Sequence, residues 1–141
     1  MGKSKLKYQP LVSIIVNCHN GEKYLRQSIS SIINQTYKNW EVIFWDNKST
    51  DHSLKIAKSF KDKRIKCFKS NKYEKLYKAR NQAVRKSKGE YICFLDTDDV
   101  WNKNKLIYQI RILKSRDYKI IYTNFHIKNE RSQKIYLPYK K

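Results

Sequence analysis

Three of the twelve acidic residues in this sequence fall within four consecutive positions, Asp96-Thr97-Asp98-Asp99. Like charges this close repel unless a cation or strong donors neutralise them. The many lysines of the chain are one source of neutralisation. A hard divalent cation is the better match, because Mg²⁺ and Mn²⁺ take oxygen ligands, usually one or two carboxylates completed by substrate phosphates. In an extended segment Asp96 and Asp98, two apart, project to the same side and can share one metal–phosphate assembly.

Other acidic-loop chemistries fail on spacing. An EF-hand needs glycine at its sixth position and further oxygen ligands at alternate ones, where Val100 and Trp101 stand. A Walker B carboxylate needs a G-x-x-x-x-G-K-[ST] loop upstream, and neither that loop nor G-x-G-x-x-G occurs. Cys18-His19 offers a thiol beside a base, but neighbours on a strand point to opposite faces. Cys18, Cys67 and Cys93 are odd in number and share no C-x-x-C spacing, so disulfides and zinc ribbons are not expected.

The elements that must position these residues alternate in type. Leu11 to Asn17, entered through Pro10, reads as a buried strand; Leu25, Ile29, Ile32 and Ile33 then mark one helical face over about 22–34. Glu41 to Trp45 is a second strand, and Ser49-Thr50-Asp51 offers N-caps for a helix carrying Leu54, Ala57 and Phe60. Ile65 to Phe68 is a third strand, with a helix predicted over about 73–87 and Gly89 as its stop. Glu90 to Leu95 is a fourth strand, Leu106, Ile110 and Leu113 mark another helix, and Lys119 to Thr123 a fifth strand. Strands joined by helical crossovers imply an α/β fold: a mostly parallel, Rossmann-like sheet with helices on both faces. Ligands of such sheets bind outside the carboxyl ends of the strands. The ends of the first, second and fourth strands are therefore expected to bring Asn20, Asp46, Asp96 and Asp98 to one cleft.

Pro10–Asn20 (PLVSIIVNCHN), Trp45–Asp51 (WDNKSTD), Ala79–Asn81 (ARN) and Gly89–Asp99 (GEYICFLDTDD) together resemble, in order, the signatures of family 2 glycosyltransferases. The resemblance runs from about Pro10 to Leu113. It implies the GT-A fold, a nucleotide-sugar-binding sheet with a DxD metal motif, and transfer of a sugar with inversion from a nucleoside-diphosphate donor, expected to be a UDP-sugar. The acceptor would be a saccharide or a lipid-linked one, as in polysaccharide biosynthesis. By this resemblance Asn20 borders the base, Asp46 accepts a hydrogen bond from the base ring, and Arg80 faces base and diphosphate. Asp96 would approach the ribose, Asp98 would ligate Mn²⁺ or Mg²⁺, and Asp99 would stand behind it. Trp101 is a candidate for packing over the donor.

The sequence also departs from the family pattern. Asn17-Cys18-His19-Asn20 stands where Pro-x-Tyr-Asn is usual, and Asp46-Asn47-Lys48-Ser49 where Asp-Asp-Gly-Ser is usual. No glycine precedes Ala79-Arg80-Asn81 between Asn71 and Ala79. The expected organisation is a donor-binding domain over 1–127 and a basic tail over 128–141, without the family's acceptor half. The catalytic base is unassigned, since the only side-chain carboxylates after Asp99 are Asp117 and Glu130, and neither sits at a recognisable motif.

Composition frames the alternatives. The 141 residues carry 32 Lys+Arg against 12 Asp+Glu, a net charge of +20, and 25 of the basic residues are Lys. Specific nucleic-acid readers favour Arg, whose planar fork bonds bidentately, so no specific nucleic acid is expected. A non-catalytic basic module for polyanions or an anionic membrane surface is the rival reading. A nucleotidyltransferase would carry a glycine-rich segment near its start, and Gly 3 in the whole chain argues against it. No apolar run is long enough to span a membrane, and residues 1–7 lack a signal-peptide core behind them. The expected address is cytoplasmic, with peripheral contact at the inner membrane face.

Overall fold

The computed structural model describes residues 8–116, 118–128 and 135–136. The chain divides into two compact units, 1–107 and 108–141. The first holds strands β1 (Val12–Cys18), β2 (Trp40–Asp46), β3 (Ile65–Lys69) and β4 (Tyr91–Phe94), with helices α1 (Glu22–Ile33), α2 (Ser53–Ser59) and α3 (Leu76–Val84). Helix α4 (Lys105–Arg116) starts in this unit and runs into the second, and its Leu106, Ile110 and Leu113 are buried as their spacing requires.

The four strands form one parallel sheet in the order β3-β2-β1-β4. β1 and β2 are apolar runs buried on both faces, the signature of parallel strands covered by crossover helices. The connections through α1 and α2 step the same way along the sheet, and the one through α3 steps back past β2 and β1. Right-handed crossovers therefore put α1 and α2 on one face and α3 on the other. Packing agrees: α1 lies against α2, and α3 lies on β1 and β2. On the α3 face, Ile15, Ile43 and Ala83 form a cluster flanked by Trp45, Phe68 and Val84. The strand order reverses beside β1, whose neighbours β2 and β4 are reached in opposite directions. That crevice is the switch point at which such sheets bind ligands.

Glu41 is buried on the α3 face beside its register partner Ser13. Its carboxylate accepts the Ser13 hydroxyl at 2.7 Å and the Lys88 N–H at 2.6 Å, and pairs with Lys66 Nζ at 2.5 Å. Desolvation alone would raise its carboxyl, but Lys66, Ser13 and Lys88 together hold it below the ordinary range.

Three expectations need correction. The third helix is shorter than the predicted 73–87 and ends at Val84 with Arg85 as a right-handed cap. Gly89 is consequently no helix stop and has no positive φ. It is glycine because a Cβ would sit 2.5 Å from Ser13 N and 2.6 Å from Ser13 Oγ, and its N–H donates to that hydroxyl at 2.8 Å. Lys119 to Thr123 form no strand: Ile120 and Tyr122 are 86% and 91% exposed, and no ladder satisfies the segment's backbone. In the second unit the paired strands are β5 (Ile127–Lys128) and β6 (Ile135–Tyr136), which run antiparallel. Residues 1–7, Asp117, Glu130 and most of the 128–141 tail lie outside the described residues.

Candidate functional site

The loops leaving β1 and β2 are laced to each other. Asn20 adopts a left-handed backbone, φ 53°, which Asn tolerates better than most residues. Its Oδ1 accepts the Thr50 N–H at 2.8 Å, and its own N–H donates to Ser49 Oγ at 3.0 Å. Gly21 N–H donates to Ser53 Oγ and Glu22 N–H to Asp51 Oδ2, each at 3.0 Å. The Asp51 carboxylate thus caps the start of α1 from another loop, supplying the acceptor that Gly21 cannot. Desolvation would raise the Asp51 carboxyl, but bonds from the Ser53 side chain and N–H and from Glu22 take it below its usual value.

Asp46 ends β2 and is 1% exposed. Its Oδ1 accepts the Ser49 N–H at 3.0 Å, while its buried Oδ2 has no partner. A desolvated carboxylate oxygen without a donor is costly and equipped to accept one. Asp46 also borders a cleft of about 590 Å³ lined by Ser49, Asp51, Leu54, Lys55, Lys58, Ser59 and Lys69.

The loop after β4 carries the acidic cluster, and Asp96, Asp98 and Asp99 are all exposed. Arg80 reaches down from α3 to bond Asp96 Oδ1 through Nη2 at 2.6 Å, with its guanidinium 5.4 Å from the Phe94 ring centre. Asp98 has no ion pair or hydrogen bond among the described residues. Partial desolvation, then the charges of Asp98 and Asp96, push the Asp99 carboxyl above its ordinary value. Among the described residues no lysine pairs with Asp96, Asp98 or Asp99. Among the described residues no three His, Cys, Asp or Glu side chains gather around one point. The loop consequently offers a cation one or two carboxylate ligands and leaves the rest to a diphosphate or water, which suits Mg²⁺ or Mn²⁺.

The β1 and β4 loops touch: a Cβ on Gly21 would stand 2.9 Å from Thr97 Oγ1, between Asp96 and Asp98. Asn20, Asp46, Arg80, Asp96 and Asp98 are thus carried at the same carboxyl edge of the sheet. The 590 Å³ cleft takes in Asp46 but not Asn20, Asp96 or Asp98. Asn20 Oδ1 is already bonded within the protein, so its side chain braces the loop.

Two residues here have structural roles that the sequence pattern did not assign to them. Asn47, read as a lost acid, is buried and pins the segment before α3 through both atoms of its amide. His19 is exposed, approaches Asn47 O through Nδ1 at 3.0 Å, and meets the exposed Tyr73 edge-on with ring centres 4.7 Å apart. The only sequence signal for either was position, directly after a strand. Cys18 is no nucleophile, since burial pushes its thiol up. Trp101 is held by its N–H to Ser31 Oγ at 3.1 Å and lies beneath the Lys105 ammonium, 5.1 Å from its ring centre.

Comparison with known proteins follows the same lines. Residues 13–140 match the family model described as Glycosyl transferase family 2. The chain is 41% identical over 123 residues to the UDP-Glc:alpha-D-GlcNAc-diphosphoundecaprenol beta-1,3-glucosyltransferase WfgD of Escherichia coli, covering 86% of this chain and 48% of that protein. It is 38% identical over 120 residues to the enzyme of the same description, WfaP, covering 85% and 48%. Among solved structures, S. aureus TarS 1-349 in complex with UDP-GlcNAc superposes with a TM-score of 0.73 at 29% identity, over 75% of this chain and 32% of that one. The chain spans about half the length of these curated relatives.

Proposed function

The chain belongs to glycosyl transferase family 2, and we propose that it binds a UDP-sugar at the carboxyl edge of its sheet for transfer of the sugar, with inversion, to a lipid-linked saccharide. Two relatives are described as using UDP-glucose and an acceptor on diphosphoundecaprenol, which supports both substrate classes. In this reading Asp46 Oδ2 accepts the imide N–H of the uracil ring, Asn20 holds the loop bordering the base, and Arg80 meets the diphosphate while bonded to Asp96. Asp96 faces the ribose. Asp98 is the protein's ligand for Mn²⁺ or Mg²⁺, which when bound neutralises charge on the departing diphosphate. In the transfer itself the acceptor hydroxyl oxygen bonds to the anomeric carbon as the bond to the diphosphate oxygen breaks, and a base takes the hydroxyl proton.

The carrying observation is the acidic loop at the switch point, with Asp98 unpaired among the described residues and Asp99 pushed up by partial burial and then by the charges of Asp98 and Asp96. The net charge of +20 supports peripheral contact with an anionic inner membrane face, where a lipid-linked acceptor would be met. Among the described residues no helix is long and apolar enough to cross a membrane.

Calorimetry with UDP, with and without Mn²⁺, tests this reading. Binding should need the metal, and Asp98→Ala should weaken it at least tenfold, a step of about 1.4 kcal/mol, without lowering the melting temperature. Equal UDP affinity in chelator, or in the Asp98→Ala chain, would sink the metal assignment. Steeply salt-dependent binding to any polyanion with no nucleotide preference would favour the basic-module reading instead.

A further inference from the structure

Helix α1 and the turn that follows it carry a polar stripe inside their buried face. Ser28 on the helix and Gln35 just beyond its C-cap are fully buried and Ser31 nearly so, interleaved with Leu25, Ile29 and Ile32. Burying three polar side chains there costs free energy unless each is satisfied. Each is satisfied, and together they reach the chain that leaves β4. Ser28 Oγ donates to Asp96 O at 3.2 Å, and Ser31 Oγ accepts the Trp101 N–H at 3.1 Å. Gln35 does most: its Nε2 donates to Asn102 O at 2.8 Å and to Ser31 O at 3.1 Å, and its Oε1 accepts the Leu106 N–H at 3.1 Å. Thr36 N–H adds a bond to Lys103 O at 2.8 Å.

The loop's backbone is thus fastened before, inside and after the stretch that follows Asp99, while the Asp96, Asp98 and Asp99 side chains are left facing outward. A loop carrying three carboxylates would otherwise spread to relieve their repulsion. Fixing its backbone from below costs no carboxylate oxygen, so among the described residues only the Asp96 oxygen held by Arg80 is engaged. A primary amide donates to Asn102 O and accepts from Leu106 N–H at once, which neither an ionised carboxylate nor a thioether does.

We propose that Gln35, helped by Ser31, is a positioning residue that holds the acidic loop in the shape that binds the metal-diphosphate group of the donor. The inference rests on the donor-site reading above. It also makes a claim about the loop that stands without any ligand.

The test uses the full 141-residue chain. Gln35→Met keeps the length and loses the amide; Val42→Ala, a core change in β2 away from the loop, serves as the stability control. Amide hydrogen exchange in the Gln35→Met chain should accelerate about tenfold across residues 96–106, with β2 and β3 unchanged. Mn²⁺-dependent UDP affinity should fall about tenfold in Gln35→Met, the loss expected for one buried amide's bonds, and stay within twofold in Val42→Ala. Where Gln35→Met does not fold, Ser31→Ala replaces it, with faster exchange confined to the segment around Trp101. Exchange that rises evenly over the whole sheet, or an affinity loss in Val42→Ala equal to that in Gln35→Met, overturns the proposal. A wild-type chain that binds no UDP overturns the donor-site reading, and the exchange comparison still decides whether Gln35 holds the loop.

Discussion

Asn47 and Glu74 meet as an amide meets a peptide: Asn47 Nδ2 donates to Glu74 O at 2.7 Å, and Asn47 Oδ1 accepts the Glu74 N–H at 3.1 Å. The pair ties the end of β2 to the entry of α3. It also explains why an amide stands where the family pattern has an acid, because an ionised carboxylate can accept but cannot donate. Asn47→Asp should cost about 1–3 kcal/mol at neutral pH, the penalty of a buried acceptor left facing another acceptor. Protonating the new carboxyl restores a donor, so the deficit should shrink as pH falls. Urea unfolding of both chains at neutral and acid pH measures it.

Lys48 occupies the left-handed region with φ 60°, one position after Asn47. Its flanks force that conformation, through Asn47 N–H on Cys18 O at 2.7 Å and Ser49 N–H on Asp46 Oδ1 at 3.0 Å. A lysine there carries a steric cost of about 1–2 kcal/mol that glycine does not. Lys48→Gly should therefore stabilise the chain by roughly 0.5–1 kcal/mol after the greater freedom of unfolded glycine is counted. Asn20→Gly should not, since it loses the bond from Thr50 to Asn20 Oδ1. Parallel thermal melts separate the two.

Stability should depend on pH through Glu41. Its folded carboxyl lies below the ordinary value of 4.5, so its contribution is complete above that value and is lost as pH falls through the folded value. Glu41→Gln should lower the urea midpoint at neutral pH and flatten the decline on the acid side. An acid profile unchanged by the substitution would remove Glu41 as its source.

Gly89→Ala should be the most damaging single-methyl addition in the sheet. The new Cβ would meet backbone, Ser13 N at 2.5 Å and Leu11 O at 2.9 Å, in the central strand. Backbone cannot turn aside as a side chain can, and a loss on the order of 3 kcal/mol is expected. Gly21→Ala meets the Thr97 hydroxyl at 2.9 Å and Cys18 Sγ at 3.0 Å, side-chain atoms that can shift, so its cost should be smaller. Comparing the two by chemical denaturation checks the ranking.

β1 and β2 were legible because parallel strands buried on both faces appear as apolar runs, and the less buried β3 and β4 as short runs of strand-favouring residues; all four begin and end within a residue of the sequence reading. Asp46 and Asp96 were legible for a related reason: they are the first polar residues after such runs, so strand ends fixed their place, and Asp98 follows Asp96 by two positions. Ser28, Ser31 and Gln35 were not. Polar residues on an amphipathic helix or in the turn that ends it are expected to face water, and their partners here are backbone atoms, which leave no mark in a side-chain pattern. Lys119 to Thr123 misled for the opposite reason. Their composition is strand-like, but a strand exists only where another offers its hydrogen bonds, and composition does not encode that.

The strand order has a consequence for how the protein is made. β1 leaves the ribosome before the other strands of this sheet and is one of its two inner strands, yet one of its two neighbours, β4, is among the last segments of the first unit to emerge. During synthesis β1, β2 and β3 can assemble with α1 and α2 while the far edge of β1 stays open. That edge is a row of unpaired backbone groups beside Val12, Ile14 and Val16, the kind of template on which other chains add strands. The nascent chain is therefore most exposed to aggregation in the interval before Tyr91–Phe94 closes it. The acidic loop, attached directly behind β4, reaches its place on α1 only when that closure is made.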